Sequence, residues 1–250
     1  MKSDAAAGGL GASRGQAIAA VLVAAGEGRR LGSSLPKARV EVAGKPLLAW
    51  ALEGLLAAGV ASRIVVTVPA GDRVLSALAA QSAALAVTGG PSRAASVAAG
   101  LKALAAAPVQ PGFPDDPPQA VLVHDCARCF TPAAVFDRVV AALADGEEAV
   151  IPVLPVVDTI KAVDAKDYVV QTYARDQLRA VQTPQGFDLP RLLAAYAEAS
   201  QRGLAESITD DAMLAETLGI RVKTVAGSAE SFKITTALDL ALARALYEKE

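Results

Sequence analysis

The run Ile18-Ala19-Ala20-Val21-Leu22-Val23-Ala24-Ala25 contains no polar residue and no alternation. A strand with one wet face alternates, so an unbroken run of this length is expected where both faces are covered, as in a parallel sheet with helices on each side. The chain then changes character. Gly26 and Gly28 remove Cβ atoms where a turn must follow, and Arg29, Arg30 and Lys37 come next, with Pro36 stiffening the approach to Lys37. Glycines that let a polyphosphate reach backbone N–H groups, followed by converging cations, point to a nucleotide-phosphate site. An ordinary βα turn with solvated arginines is the competing reading of this motif taken alone.

Spacing excludes two familiar phosphate loops. No Gly-Lys-Ser/Thr follows four spacer residues, as a Walker loop requires. A dinucleotide fingerprint needs glycine where Leu31 stands and a carboxylate closing the next strand, yet Arg63–Val68 runs into Pro69 with no acid before Asp72.

Further along, short apolar runs alternate with helical patterns. Val40–Val42 reads as a short extended piece, and Pro46 at a first helical position with Gly59 as terminator frames LLAWALEGLLAA. Strands are expected at Arg63–Val68, Leu85–Thr88, Ala120–Val123, Ala149–Val153 and Arg221–Val225. Helices are expected from Asp72 to about Ala84, from Ala94 to Ala106, from the Thr131-Pro132 cap to Ala144, at Leu189–Arg202, from Ile208-Thr209-Asp210-Asp211 to before Gly219, and after SFKIT at 231–235. Pro108–Pro118 reads as a surface loop. Such alternation predicts an α/β fold, a doubly wound and mostly parallel, Rossmann-like sheet. Residues 1–16 read as a disordered leader and 17–250 as a single domain. An arm at about 155–176 interrupts the pattern, with extended stretches at 158–163 and 168–173 around a turn at Asp164–Asp167. A lone two-stranded hairpin is marginal in water, so this one needs something to pack on, and a second subunit is the economical candidate.

Two features at strand ends follow. Gly89-Gly90-Pro91-Ser92-Arg93 is a second glycine turn between strand and helix, where such sheets bind anions; a simple turn capped by Ser92 is the bland alternative. Ala120–Val123 runs into His124-Asp125-Cys126-Ala127-Arg128. Asp125 and Arg128 are placed for chemistry, whereas His124, with no serine or cysteine spaced to form a triad, reads as a structural hydrogen-bonder rather than a general base.

Composition narrows the classes. Hydrophobic residues make up 53% and aromatics only 4%, so the core must be built largely from Ala, Val and Leu. Net charge is −2, which gives no bulk drive toward nucleic acid or an anionic membrane, and any phosphate affinity must be local. No apolar run approaches the length of a membrane span, and a cytoplasmic location is expected. Cys126 and Cys129, with a single histidine in the chain, do not complete a zinc site; they read as packed thiols, with a redox pair as the alternative.

Taken together, AAGEGRRL with PK, GGPSRAASV, VLVHDCAR, DTIK, QTPQGF, ITDD and FKIT resemble, in order and near-family spacing, the 2-C-methyl-D-erythritol 4-phosphate cytidylyltransferases of the non-mevalonate isoprenoid pathway. The resemblance covers the chain from about Ala17 onward. It implies a nucleotidyltransferase that moves CMP from CTP to methylerythritol phosphate with Mg²⁺ held mainly by the CTP phosphates, and a homodimer whose arm reaches the neighbouring subunit. It matches Arg30, Lys37 and Lys233 to the cations at the reacting phosphates. It matches Val23, Ala24, Ala25, Gly26, Gly90 and Ser96 to nucleotide contacts, and Asp125, Arg128, Thr159, Arg175, Thr183 and Thr209 to the acceptor site. No residue is matched as a direct metal ligand. Ala38-Arg39, Pro91, Cys126 and Cys129 depart from the pattern. Rival readings are a nucleotidyltransferase of the same fold using ribitol 5-phosphate or a sugar 1-phosphate, and a non-catalytic nucleotide-binding domain. A metal-dependent glycosyltransferase is disfavoured because no Asp-x-Asp stands at a strand end.

Overall fold

The computed structural model describes residues 17–33, 35–203, 208 and 210–248. The expected leader, 1–16, and Thr209 lie outside them. The strands are β1 (Ile18–Val23), β2 (Glu41–Val42), β3 (Lys45–Pro46), β4 (Arg63–Val68), β5 (Leu85–Thr88), β6 (Ala120–Asp125), β7 (Ala149–Pro155), β8 (Lys161–Val163), β9 (Val169–Thr172), β10 (Arg179–Val181), β11 (Gln185–Asp188) and β12 (Val222–Ala226). The helices are α1 (Leu47–Ala58), α2 (Arg73–Gln81), α3 (Arg93–Ala103), α4 (Ala133–Ala144), α5 (Leu189–Gln201), α6 (Asp211–Thr217) and α7 (Ala237–Tyr247).

One eight-stranded sheet runs β10-β7-β11-β6-β1-β4-β5; β10 and β11 follow one another along one edge of β7, and β12 pairs with its other edge. Pairings β6–β1, β1–β4, β4–β5 and β7–β12 are parallel, while β11 runs antiparallel between β6 and β7 and β10 antiparallel on β7. The fold is a mixed, mostly parallel α/β sheet. β1 is buried from Ile18 to Leu22 because both its faces are covered. Ile18, Ala20 and Leu22 join the core under α1, α2 and α4, while Ala19 and Val21 join the core under α3 and α5. Gly100 lets α3 sit directly on β1, since a Cβ there would stand 2.5 Å from a Val21 methyl.

Several boundaries differ from the sequence reading. Pro46 lies one residue before α1, in β3, while Gly59 ends that helix in the left-handed conformation (φ +58°). α2 stops at Gln81 because Ala83 turns to φ +50°. The helix after the second glycine turn ends at Ala103 and tightens into a 3₁₀ turn over Leu104–Ala106. Thr131 does not cap α4: its hydroxyl donates to the Arg128 carbonyl, and Pro132 takes the cap position. β10 and β11 carry no strand pattern in the sequence. β11 contains Gly186 because α4 lies on it; a Cβ there would stand 2.6 Å from Val139 and 2.8 Å from Leu143. β8 and β9 pair antiparallel with each other as a separate two-stranded sheet. Among the described residues no helix is long and apolar enough to cross a membrane.

Candidate active site

At the carboxyl end of β1 the backbone folds back on itself. Ala24 N–H donates to Thr67 O, extending the β1–β4 register, and Lys37 N–H donates to the Gly26 carbonyl at 3.1 Å, returning the lysine to the glycine turn. Gly28 makes this return possible. Its φ is +77°, and a Cβ would stand 3.1 Å from Lys37 N. Lys37 opens a 3₁₀ turn anchored by buried Ala38.

The second glycine turn is built against the first. Gly89 N–H donates to Val68 O, continuing from β5, and the Gly90 loop is tied down by Ser96. The Ser96 hydroxyl accepts from Gly90 N–H at 3.1 Å and donates to the Ser92 carbonyl at 2.9 Å, while the Ser92 hydroxyl caps α3 by accepting from Ala95 N–H. Ser96 thus shapes the turn through its hydroxyl while buried itself.

Between the turns lies a cleft of about 640 Å³. Of the residues expected to act, Val23, Ala24, Ala25, Gly26, Arg30, Lys37, Gly90, Ser96, Asp125 and Lys233 all line it. Lys233 comes from the far end of the chain and is placed by its neighbours. Ile234 is fully buried and its N–H donates to Ala127 O, Phe232 packs on Phe130, and Asp239 accepts from the N–H groups of Thr235 and Thr236 to fix the start of α7. The ring of Tyr247, at the end of α7, stacks on Phe130 at 3.7 Å. Trp50, Phe130, Phe232 and Tyr247 thus form an aromatic cluster that locks α7 to the body.

The electrostatics of the cleft are dominated by cations. Burial, and next the charge of Lys233, lower Lys37 to about 8. Asp125, at the end of β6, meets Lys233 Nζ at 2.7 Å and Arg93 Nε at 3.1 Å. Burial works against its charge, but Arg93 and Lys233 outweigh that and hold the carboxyl far below the ordinary range. His124 points away from this charge into the core. Its Nδ1 lies 2.8 Å from the Thr183 hydroxyl, its ring packs edge-on to Phe136, and burial lowers it to about 4, so the imidazole is neutral. Thr183 Oγ1 also accepts from Asp125 N–H at 3.0 Å. Burial raises the Cys126 thiol well above its usual value and pushes Cys129 up to about 12, which leaves both free thiols un-ionised packing groups.

The four remaining acceptor-site candidates within the described residues stand outside the lining. Thr183 lies directly behind Asp125. Arg128 Nη1 donates to Ser231 O at 2.7 Å and Nη2 to Val181 O at 3.1 Å, so its guanidinium ties the Lys233 segment to β10. Thr159 and Arg175 are exposed at the base of the β8–β9 ribbon, where Arg175 Nη1 donates to Val157 O. Sequence reasoning gave no role to Arg93, which lines the cleft and pairs with both Asp125 and Asp211. Its position immediately after the Ser92 cap, at a helix start facing a strand end, was the available signal.

This fold and sequence have many relatives. A family model described as 2-C-methyl-D-erythritol 4-phosphate cytidylyltransferase matches residues 18–249. A protein of that name from Nocardia farcinica is 48% identical over 234 residues, covering 93% of this chain and 94% of the relative. One from Rhodococcus opacus is 47% identical over 232 residues, covering 93% and 96%. Among solved structures, the 2-C-methyl-D-erythritol 4-phosphate cytidylyltransferase of Thermus thermophilus superposes with a TM-score of 0.72 at 36% identity, over 92% of this chain and 99% of that one. The 4-diphosphocytidyl-2C-methyl-D-erythritol synthase of Anaerococcus prevotii gives 0.77 at 29% identity, over 94% and 99%. Matched over residues 18–249 by the family model and over more than nine-tenths of its length by these relatives, the chain belongs to the 2-C-methyl-D-erythritol 4-phosphate cytidylyltransferase family.

Proposed function

We propose that the protein transfers CMP from CTP to 2-C-methyl-D-erythritol 4-phosphate, yielding 4-diphosphocytidyl-2-C-methyl-D-erythritol and pyrophosphate. A phosphate oxygen of the acceptor attacks the α-phosphorus in line; the bond from that phosphorus to the bridging oxygen breaks, and its electron pair leaves with pyrophosphate. The attacking oxygen is already ionised near neutral pH, so no base has to remove a proton. The observation that carries this reading is the convergence of Arg30, Lys37 and Lys233 on one cleft beside two glycine turns. An anion attacking a polyanion is limited by charge, and fixed cations aimed at the developing charge are the main device for lowering the barrier. Arg30 offers a planar fork to two phosphate oxygens, while the lysines act as point charges. A buried neutral histidine fits a mechanism without a general base.

Backbone groups of Val23, Ala24, Ala25, Gly26 and Gly90, with Ser96 holding the second turn, form the nucleotide side. Asp125, backed by Thr183, forms the acceptor side with Arg128 bracing it. Asp125 is already engaged by Arg93 and Lys233, and among the described residues no group of three or more His, Cys, Asp or Glu side chains gathers to hold a metal. This donor set fits Mg²⁺ carried in on the triphosphate as part of the substrate, where it supplies charge neutralisation across the phosphate oxygens.

A homodimer is part of the proposal. The ribbon and its flanks expose Val157, Tyr168 and Val170 at 79, 70 and 63%, an apolar surface suited to a second copy, and Thr159 and Arg175 would then serve the neighbour's acceptor site. Two free buried thiols fit a reducing, cytoplasmic setting. The test is pyrophosphate release from CTP with methylerythritol phosphate by the purified protein, together with its molecular mass in solution.

A further inference from the structure

Five side chains form a line beneath the cleft. Lys233 Nζ meets Asp125 Oδ2 at 2.7 Å, Arg93 Nε meets Asp125 Oδ1 at 3.1 Å, Arg93 Nη1 meets Asp211 Oδ2 at 2.8 Å, and the Tyr196 hydroxyl donates to Asp211 Oδ1. Charges alternate along the line, and the members come from β6, α3, α5, α6 and the segment before α7. Its inner end is the unusual part. Asp211 is completely buried at the first position of α6, and Tyr196 on α5 is 9% exposed; neither lines the cleft.

A buried carboxylate is costly unless it is paired and hydrogen-bonded, and Asp211 has the arginine and the phenol for this. What it gives the cleft is direction. An arginine offered one carboxylate grips it with both arms of its fork, whereas Arg93 splits its donors between two. Asp211 draws the Nη1 edge inward, leaving Nε alone on Asp125 Oδ1. The other oxygen, Oδ2, is left to Lys233.

We propose that Asp211 and Tyr196 are positioning residues for this reaction: through Arg93 they fix the orientation of the Asp125 carboxylate, and with it Lys233, on the acceptor side of the cleft. The inference rests on the functional reading above, because it assigns Asp125 to the acceptor rather than to the nucleotide.

The test is steady-state kinetics with Mg-CTP and methylerythritol phosphate varied separately, for the full-length wild type, Tyr196→Phe, Asp211→Asn and the double variant. Thermal melts and direct CTP titrations accompany them. Removing one hydrogen bond to a charged buried group is worth about tenfold or more, so Asp211→Asn is expected to lower kcat/KM for methylerythritol phosphate by at least about tenfold. Tyr196→Phe deletes a single oxygen remote from both substrates and is expected to lower the same quantity by about threefold to tenfold. CTP affinity stays within about twofold, and the double variant falls no further than Asp211→Asn, because Tyr196 acts only through Asp211. If Asp211→Asn does not fold, Tyr196→Phe carries the test. A CTP affinity that weakens as much as kcat/KM for methylerythritol phosphate falls, additive losses, or wild-type kinetics in folded Tyr196→Phe would overturn the relay. A folded wild type that releases no pyrophosphate from this substrate pair would instead overturn the functional reading, and the relay with it.

Discussion

Gly89 and Ala25 are in contact across the two glycine turns: a Cβ on Gly89 would stand 2.4 Å from the Cβ of Ala25 and 2.9 Å from Ser96 Oγ. The walls of the nucleotide side are therefore set by the absence of one side chain. Gly89→Ala must push the turns apart. Overpacking of this kind costs about 1–3 kcal/mol, so the variant is expected to melt lower and to raise KM for CTP more than KM for the acceptor. Unchanged CTP binding in a titration would show that the turns are not the nucleotide walls.

The pH dependence should report Lys37. With its ammonium lowered to about 8 in the free protein, it is charged below that pH and neutral above it. kcat/KM for CTP is expected to fall as pH rises through about 8, whereas kcat, which reports the bound state, should not show that limb because the triphosphate stabilises the charge. Lys37→Arg stays charged throughout this range and should abolish the fall. A limb that persists in the arginine variant belongs to another group.

Stability should respond to His124 on the acid side. Its folded value of about 4 lies below the ordinary 6.5, so above pH 6.5 both folded and unfolded forms are neutral and nothing is lost. As pH falls from 6.5 toward 4 only the unfolded chain takes up the proton, and the fold loses about 3 kcal/mol. His124→Asn is expected to flatten that part of a melting-temperature profile recorded from pH 7 to 4. An equally steep profile in the variant would assign the loss elsewhere.

Lys233 depends on α7, and α7 depends on aromatic packing. Tyr247 stacks on Phe130 at 3.7 Å with planes 7° apart, and Trp50 packs on both. Tyr247→Ala is expected to cost about 2–3 kcal/mol in a denaturant melt and to lower kcat by loosening Lys233, while Tyr247→Phe keeps both. Loss of stability with kcat intact would separate α7 from the chemistry.

Much of this architecture is legible in the sequence, and the limits have physical causes. β1 is readable because coverage on both faces demands an unbroken apolar run, and Ser92 because a helix start needs a hydroxyl. β11 is not readable: Gln185-Gly186-Phe187-Asp188 has no strand signature, since Gly186 answers to α4 lying on it and Asp188 to capping α5. The cations Arg30 and Lys37 stand next to glycine turns and identify themselves by local spacing. Arg93 and Asp211 do not, because their pairing exists only once α3 and α6 meet in space. Arg128 illustrates the opposite case, a residue conspicuous in its motif whose Nη1 and Nη2 donate to the carbonyls of Ser231 and Val181.

The most direct test of the central claim is the effect of Arg30→Ala and Lys37→Ala on turnover, measured as pyrophosphate release from saturating CTP and methylerythritol phosphate, with ribitol 5-phosphate and with ATP, GTP and UTP in parallel. The wild type is expected to release pyrophosphate with CTP and methylerythritol phosphate, and kcat to fall by about 10²–10³ in each variant, the scale of losing one transition-state donor. Near-wild-type turnover in both variants, or release that prefers another pair of substrates, would contradict that claim.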